Sequence, residues 1–232
     1  ENFRQWAIED SFCAGRPCWD KAGVIVTDNV RDYEALKIRI LNGGHQAIAG
    51  IGEVLSLATI ADCMANEKVA GLFSKLAREE IAPLVRAVPG MTPEGYVDVI
   101  AERFSNPHIV DTTRRVAFDG SSRHPGFIIP SIRDGLSAGT PIDGLALVSA
   151  VWARMCAGTR ENGSQIEPND PFWDELQKVA QAAQTDPAVW LAQTQYYGNL
   201  AEQARFADAF KKWLKLIWDD GMDATLETYL LS

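Results

Sequence analysis

The sequence predicts a mainly α-helical fold preceded by two short strands. Three observations carry that expectation. An oxygen-bearing cap residue followed by proline recurs at Thr92-Pro93, Asn106-Pro107, Asp170-Pro171 and Asp186-Pro187. An aromatic and aliphatic stripe, Phe206, Phe210, Trp213, Leu214 and Ile217, steps by three and four residues. Residues 142–156 are apolar nearly all round.

Each element follows in turn. Residues 1 to about 30 hold two short apolar runs, Trp6-Ala7-Ile8 and the β-branched Val24-Ile25-Val26, which read as strands either side of a Gly15-Arg16-Pro17 turn. Two strands cannot hold themselves together in water, so they should pack onto something else. From about Val30 the pattern is helical nearly to the end. Proline at the first helical position has no N–H to lose, and the preceding side chain can satisfy an orphan donor, so the four cap–Pro pairs read as helix starts. Ile142 to Cys156 reads as a central buried helix. The stripe from Phe206 to Ile217 is a core face, with Lys211, Lys212 and Lys215 elsewhere on the wheel, and its helix should close at Asp219-Asp220-Gly221.

Composition narrows the function. The 232 residues are 47% hydrophobic and 23% charged, which excludes intrinsic disorder, and 22 Lys and Arg against 31 Asp and Glu give a net charge of −9. Scattered basic residues argue against a nucleic-acid binder, and no apolar stretch approaches the roughly 20 residues that span a bilayer. Cys13, Cys18, Cys63 and Cys156 form no CxxC pair, so a disulfide framework or structural zinc site is not expected and a reducing cytoplasm is.

The run Lys37-Ile38-Arg39-Ile40-Leu41-Asn42-Gly43-Gly44-His45-Gln46 carries the most chemistry. In one α-helix, with Lys37 as reference, Asn42 stands at about 140° and His45 at about 80°. An amine, an amide and an imidazole then share one side, with Ile38, Leu41, Ile48 and Ile51 to make the neighbourhood dry. Alcohol oxidation needs a base for the hydroxyl proton, which a desolvated lysine supplies, and donors for the oxygen, which Asn and His supply. The same residues also fit a solvated lysine, a helix-interior amide and a satisfied core histidine. Gly43, Gly44, Gly50 and Gly52 each cost a helix roughly 1 kcal/mol, which suggests close approach of a ligand or another backbone. His108 is expected in the first turn of a helix, and His124, beside Arg123, at the border of a pocket. No HExxH, Cys/His cluster or GxSxG appears.

The spacing Lys37-x4-Asn42-x2-His45, preceded by Thr27-Asp28-Asn29-Val30 and followed by an Ala/Gly/Ile-rich helix, resembles the signature region of the mannitol dehydrogenase family, the polyol-specific long-chain dehydrogenases. A second block agrees: Arg103-Phe104-Ser105-Asn106-Pro107, Asp111-Thr112-Thr113-Arg114-Arg115 and Asp119-Gly120-Ser121-Ser122-Arg123, as do Gln5-Trp6-Ala7-Ile8-Glu9-Asp10 and Ala14-Gly15-Arg16-Pro17. The likeness runs from residue 5 to about 135. It implies a multi-helical C-terminal dehydrogenase domain, similar to that of 6-phosphogluconate dehydrogenase, and the NAD- or NADP-dependent, metal-independent interconversion of a polyol and a ketose. It assigns Lys37 as general acid/base and Asn42 and His45 to polarise the reacting oxygen. Arg115 and Arg123 correspond to substrate-binding positions, although many relatives have Lys at the second, and His124 is the further substrate-side candidate. Surface ion pairing is the other reading of the two arginines.

The family's N-terminal dinucleotide-binding domain is the departure. Gly50-Ile51-Gly52-Glu53 lacks the third glycine of a nucleotide fingerprint and follows no strand. With an opening Glu1-Asn2-Phe3 that has no Met, the expectation is the C-terminal half of a longer enzyme. Residues 1–30 would be the last strands of the missing domain, residues 31–232 the helical substrate-binding domain, and the missing half its cofactor-binding partner. The alternatives are a uronate reductase or sugar-phosphate polyol dehydrogenase of the same family, and a non-catalytic helical assembly domain.

Overall fold

The computed structural model describes residues 4–232; Glu1, Asn2 and Phe3, the opening without Met, lie outside the described residues. Strands β1 (Ala7–Glu9) and β2 (Ile25–Thr27) pair in parallel, Ala7 opposite Ile25 and Glu9 opposite Thr27. Parallel partners cannot be joined by a tight turn. Residues 10–24 make the crossing, held by Arg16, whose guanidinium bonds Asp10 at 3.2 Å and Asp20 at 2.9 Å, with Gly15 in the left-handed region.

Helix α1 (Val30–Ala35) continues through a π-helical turn (Leu36–Asn42) into α2 (Gly43–Leu55) without a break. Then come α3 (Ile60–Ala65), α4 (Glu67–Lys75) with a second π-helical turn (Leu76–Ile81), α5 (Pro93–Phe104), α6 (Thr113–Ala117), α7 (Gly120–Phe127) and α8 (Ile129–Ala138). The rest is α9 (Asp143–Cys156), α10 (Trp173–Ala183), α11 (Ala188–Leu191), α12 (Thr194–Tyr197), α13 (Ala204–Asp220) and α14 (Met222–Leu231).

Helix α9 is buried from Gly144 to Cys156, the central helix its composition predicts, and it packs against α13, α2 and α10. The stripe on α13 is buried as expected, and Gly221 ends that helix. The start of α9 is held by a buried carboxylate. Glu80 accepts from the N–H groups of Gly144 (2.7 Å) and Leu145 (2.9 Å) and from the Tyr229 hydroxyl (3.2 Å), so orphan donors at a helix N-terminus are satisfied inside the core. Burial nevertheless pushes the Glu80 carboxyl up, against the pull of those bonds.

Of the cap–Pro pairs, Thr92 caps α5, its hydroxyl accepting from the Gly95 N–H. Asp170 and Asp186 hold the chain just ahead of α10 and α11, accepting from the N–H groups of Phe172 and Ala188. Asn106-Pro107 does not start a helix. Asn106 closes an exposed turn instead, its side chain accepting from the His108 N–H and its carbonyl from the Ile109 N–H, and His108 therefore sits in a turn.

Gly44, Gly50 and Gly52 in α2 are packing sites for neighbouring side chains, which at these three corrects the expectation of a ligand or another backbone. A Cβ at Gly44 would meet Phe73 at 2.6 Å, one at Gly50 would meet Val151 at 3.1 Å, and one at Gly52 would meet Thr113 at 2.5 Å and Cys63 at 2.6 Å. Gly43 alone faces backbone, the Phe127 carbonyl at 3.4 Å. The replacement Gly52→Ala should destabilise the fold by about 1–3 kcal/mol and lower the melting midpoint by roughly 2–4 °C per kcal/mol. Thermal melts followed by circular dichroism would check this, and an unchanged midpoint would contradict the packing.

Candidate functional site

The unbroken rod from α1 to α2 carries the candidate residues. Its π-helical turn holds Lys37 and Asn42, and π turns inside helices are frequent at functional sites. A wider turn advances each residue by less than the α-helical step, so Asn42 lies closer to Lys37 around the axis than an unbroken α-helix would put it.

Asn42, His45, Gln46, Arg115, Val116, Arg123 and Phe127 line one cleft of about 230 Å³. Its far wall is built by α6 and α7. A helix as short as α6 leaves its last carbonyls without intrahelical partners, and Val116 is one of them. The Val116 carbonyl accepts from the Gln46 side-chain amide and from Arg123 Nη1, both at 2.8 Å. One orphan oxygen thus ties α2, α6 and α7 around the cleft. Arg115, on α6, bonds Asp111 through Nε at 2.7 Å.

His45 is half-buried, and its ring stacks on Phe104 at 4.1 Å between centroids with 15° between planes. It also borders a second, smaller hollow lined by Leu41, Ile60, Arg103, Phe104, Ile109 and Asp111. Burial lowers its pKa to about 4; Asp111 pulls upward, and Arg115, Arg103 and Arg123 push downward. At neutral pH the imidazole is therefore uncharged, with one nitrogen to donate and the other to accept. The ring has no hydrogen-bond partner among the described residues. A neutral imidazole, an amide and two guanidiniums facing one small cleft can hold an oxygen that changes between hydroxyl and carbonyl.

Lys37 stands apart. Its side chain is exposed and lines a neighbouring hollow of about 380 Å³ with Gln5, Trp6, Ala7, Val30, Tyr33 and Glu34. The dry setting expected for it is absent, because Ile48 and Ile51 turn into the core and only Leu41 borders the His45 hollow. His124 does not border the cleft either. It is 1% exposed, bonds the Ser149 hydroxyl at 3.0 Å and stacks on Trp152 at 4.6 Å, a core histidine whose pKa burial lowers to about 3. Sequence reasoning missed Gln46, Phe104 and Asp111 as parts of the site. The four-residue spacing of Asp111 and Arg115 was the available signal. Between β2 and α1 the chain passes through Asp28 and Asn29 without a glycine loop, and Gly50 and Gly52 are filled by neighbours inside α2.

Residues 29–218 match the family model described as "Mannitol dehydrogenase C-terminal domain". The chain belongs to the mannitol dehydrogenase family. Within it, the chain is 48% identical to a mannitol 2-dehydrogenase of Cereibacter sphaeroides over 99% of its own length and 48% of that protein's. It is 35% identical to a mannitol 2-dehydrogenase of Aspergillus oryzae over 99% of this chain and 47% of the other. Among solved structures it resembles the Pseudomonas fluorescens mannitol 2-dehydrogenase in ternary complex with NAD and D-mannitol, with TM-score 0.91, 32% identity, and coverage of 99% of this chain and 47% of that one. It also resembles a D-sorbitol dehydrogenase in substrate-free form, with TM-score 0.88, 30% identity, and coverage of 97% and 46%. The chain spans about half the length of the curated relatives it matches.

The half-buried His45 and the buried His124 give the fold a defined acid response. Both pKa values are lowered on folding from 6.5, to about 4 for His45 and about 3 for His124, so the unfolded chain binds more protons below pH 6.5. Their stabilisation is present above pH 6.5 and is lost as pH falls toward the folded values, at up to about 1.4 kcal/mol per pH unit for each. Thermal melts between pH 7 and pH 4.5 should show a steadily falling midpoint. A flat profile would contradict the burial of both rings.

Proposed function

We propose that this chain is the substrate half of an NAD-dependent polyol dehydrogenase that oxidises a secondary alcohol of a sugar alcohol to a ketose, and runs in reverse. The observation that carries the reading is the single cleft where Asn42, an uncharged His45, Arg115 and Arg123 converge. The likeness to a mannitol 2-dehydrogenase holding NAD and D-mannitol supports it. NADP in place of NAD remains within the proposal, and no metal ion is invoked.

Asn42 and His45 donate to the reacting oxygen and stabilise charge as it develops there. Arg115 and Arg123 orient the substrate through its other hydroxyls, each with a planar fork of donors. Lys37 takes the hydroxyl proton on oxidation and returns it on reduction. The dinucleotide supplies the hydride acceptor, and the segment that binds it lies outside the described residues. That segment also covers Lys37, whose exposed side chain faces the hollow beside Trp6 and β1. Residues 1–30, with their parallel strand pair, are the last strands of that dinucleotide-binding domain, and residues 31–232 are the substrate domain. Four free cysteines suit a reducing cytoplasm.

The two arginines are also what an acidic sugar requires, so a uronate reductase is the second reading. A panel of neutral and acidic sugars on the full-length protein separates the two. A non-catalytic assembly domain predicts an occluded or absent polar pocket around Lys37, Asn42 and His45; Asn42 and His45 line an open polar cleft and Lys37 the hollow beside it, which favours the enzyme. In the full-length protein, Lys37→Ala should lower turnover with D-mannitol by about 10²–10⁴-fold. NAD binding, followed by fluorescence titration, should persist. Unchanged turnover would remove Lys37 from the mechanism.

A further inference from the structure

The cleft has two cationic side chains in its lining and no carboxylate. The nearby carboxylate, Asp111, stands behind it, in the wall of the smaller hollow on the other side of His45. Its place is set by the backbone. The Asp111 carbonyl accepts from the Ile60 N–H at 2.9 Å, its N–H donates to the Ile109 carbonyl at 2.9 Å, and the next residue, Thr112, bridges Thr59. The carboxylate is nearly covered, and its Oδ1 accepts from both Nε (2.7 Å) and Nη2 (2.5 Å) of Arg115. That engages one edge of the guanidinium. The Nη1 edge has no partner among the described residues.

Stability does not account for this pair. Asp111's side chain is 13% exposed, but Arg115's is 69% exposed and solvent screens the pair from that side, which keeps its contribution to about 1 kcal/mol. The consequence lies in what Arg115 offers a ligand. With one edge neutralised by Asp111, it presents a directed hydrogen-bond donor to a hydroxyl, not a free cation to an anion. Arg123 is likewise directed, by its bond to the Val116 carbonyl.

Taking the polyol dehydrogenase reading as its basis, we propose that Asp111 is a positioning residue that sets the charge preference of the cleft: it aims Arg115 at a neutral polyol and disfavours anionic sugars. Asp111→Asn keeps an acceptor for Arg115 and removes the charge, and its small cost in stability leaves the fold intact. In the full-length enzyme, Asp111→Asn should raise KM for D-mannitol several-fold with kcat within about twofold. The inhibition constant of D-mannonate, an anionic analogue, should fall about tenfold relative to that KM. Asp111→Glu, which retains the carboxylate, should restore the ratio. Calorimetric titration of D-mannonate into wild type and Asp111→Asn reads the same preference without catalysis. A ratio unchanged in Asp111→Asn, or a fall in kcat alone, would overturn the inference. If wild type fails to oxidise D-mannitol, the proposed function falls, and calorimetry still decides the role: tighter D-mannonate binding by Asp111→Asn supports it and equal binding refutes it.

Discussion

Close packing against the backbone of α2 is the constraint on which the rest of the structure depends. Phe73, Val151, Thr113 and Cys63 reach that helix because no Cβ stands at Gly44, Gly50 or Gly52. Four neighbours, α4, α9, α6 and α3, are thereby seated on one rod. The helical cost of these glycines, roughly 1 kcal/mol each, is offset by apolar surface buried at short range. Asn42 and His45 flank Gly44 on the same rod, so the contacts that make the core also set the site.

The site itself uses leftovers of secondary structure. The π-helical turn changes the angular step where Lys37 and Asn42 stand, and the short α6 leaves the Val116 carbonyl free to gather Gln46 and Arg123. Phe104 covers one face of the His45 ring, and burial, with Arg115, Arg103 and Arg123 working against Asp111, keeps the imidazole uncharged where a cation would repel Arg115 and Arg123. The exposed Lys37 and the hollow beside Trp6 lie on the side of β1 and β2, where a parallel pair of three-residue strands has too little surface to stand alone.

His124 shows how one residue type takes opposite roles. His45 and His124 are both neutral through burial, yet His45 borders two cavities while His124 is enclosed by Trp152, Tyr197 and Ser149. Their sequence contexts, each beside polar residues and close to glycine, do not separate them. What separates them is which neighbouring helix closes over the ring, and that neighbour comes from a distant part of the chain.

The sequence by itself determined what is encoded within a few residues. Periodicity defined α13 and the buried α9, Thr92 the start of α5, and the Lys37–Asn42–His45 spacing with the Arg115 and Arg123 blocks the family. Only the tertiary structure decided the parallel pairing of β1 with β2, the π turn, the turn at Asn106, the exposure of Lys37, the burial of His124 and the covered setting in which Asp111 meets Arg115. Helical period and capping are local, set by side chains within one or two turns of each other. Desolvation, orphan carbonyls and counter-charges depend on partners tens of residues away, and they take their values only when the chain closes around them.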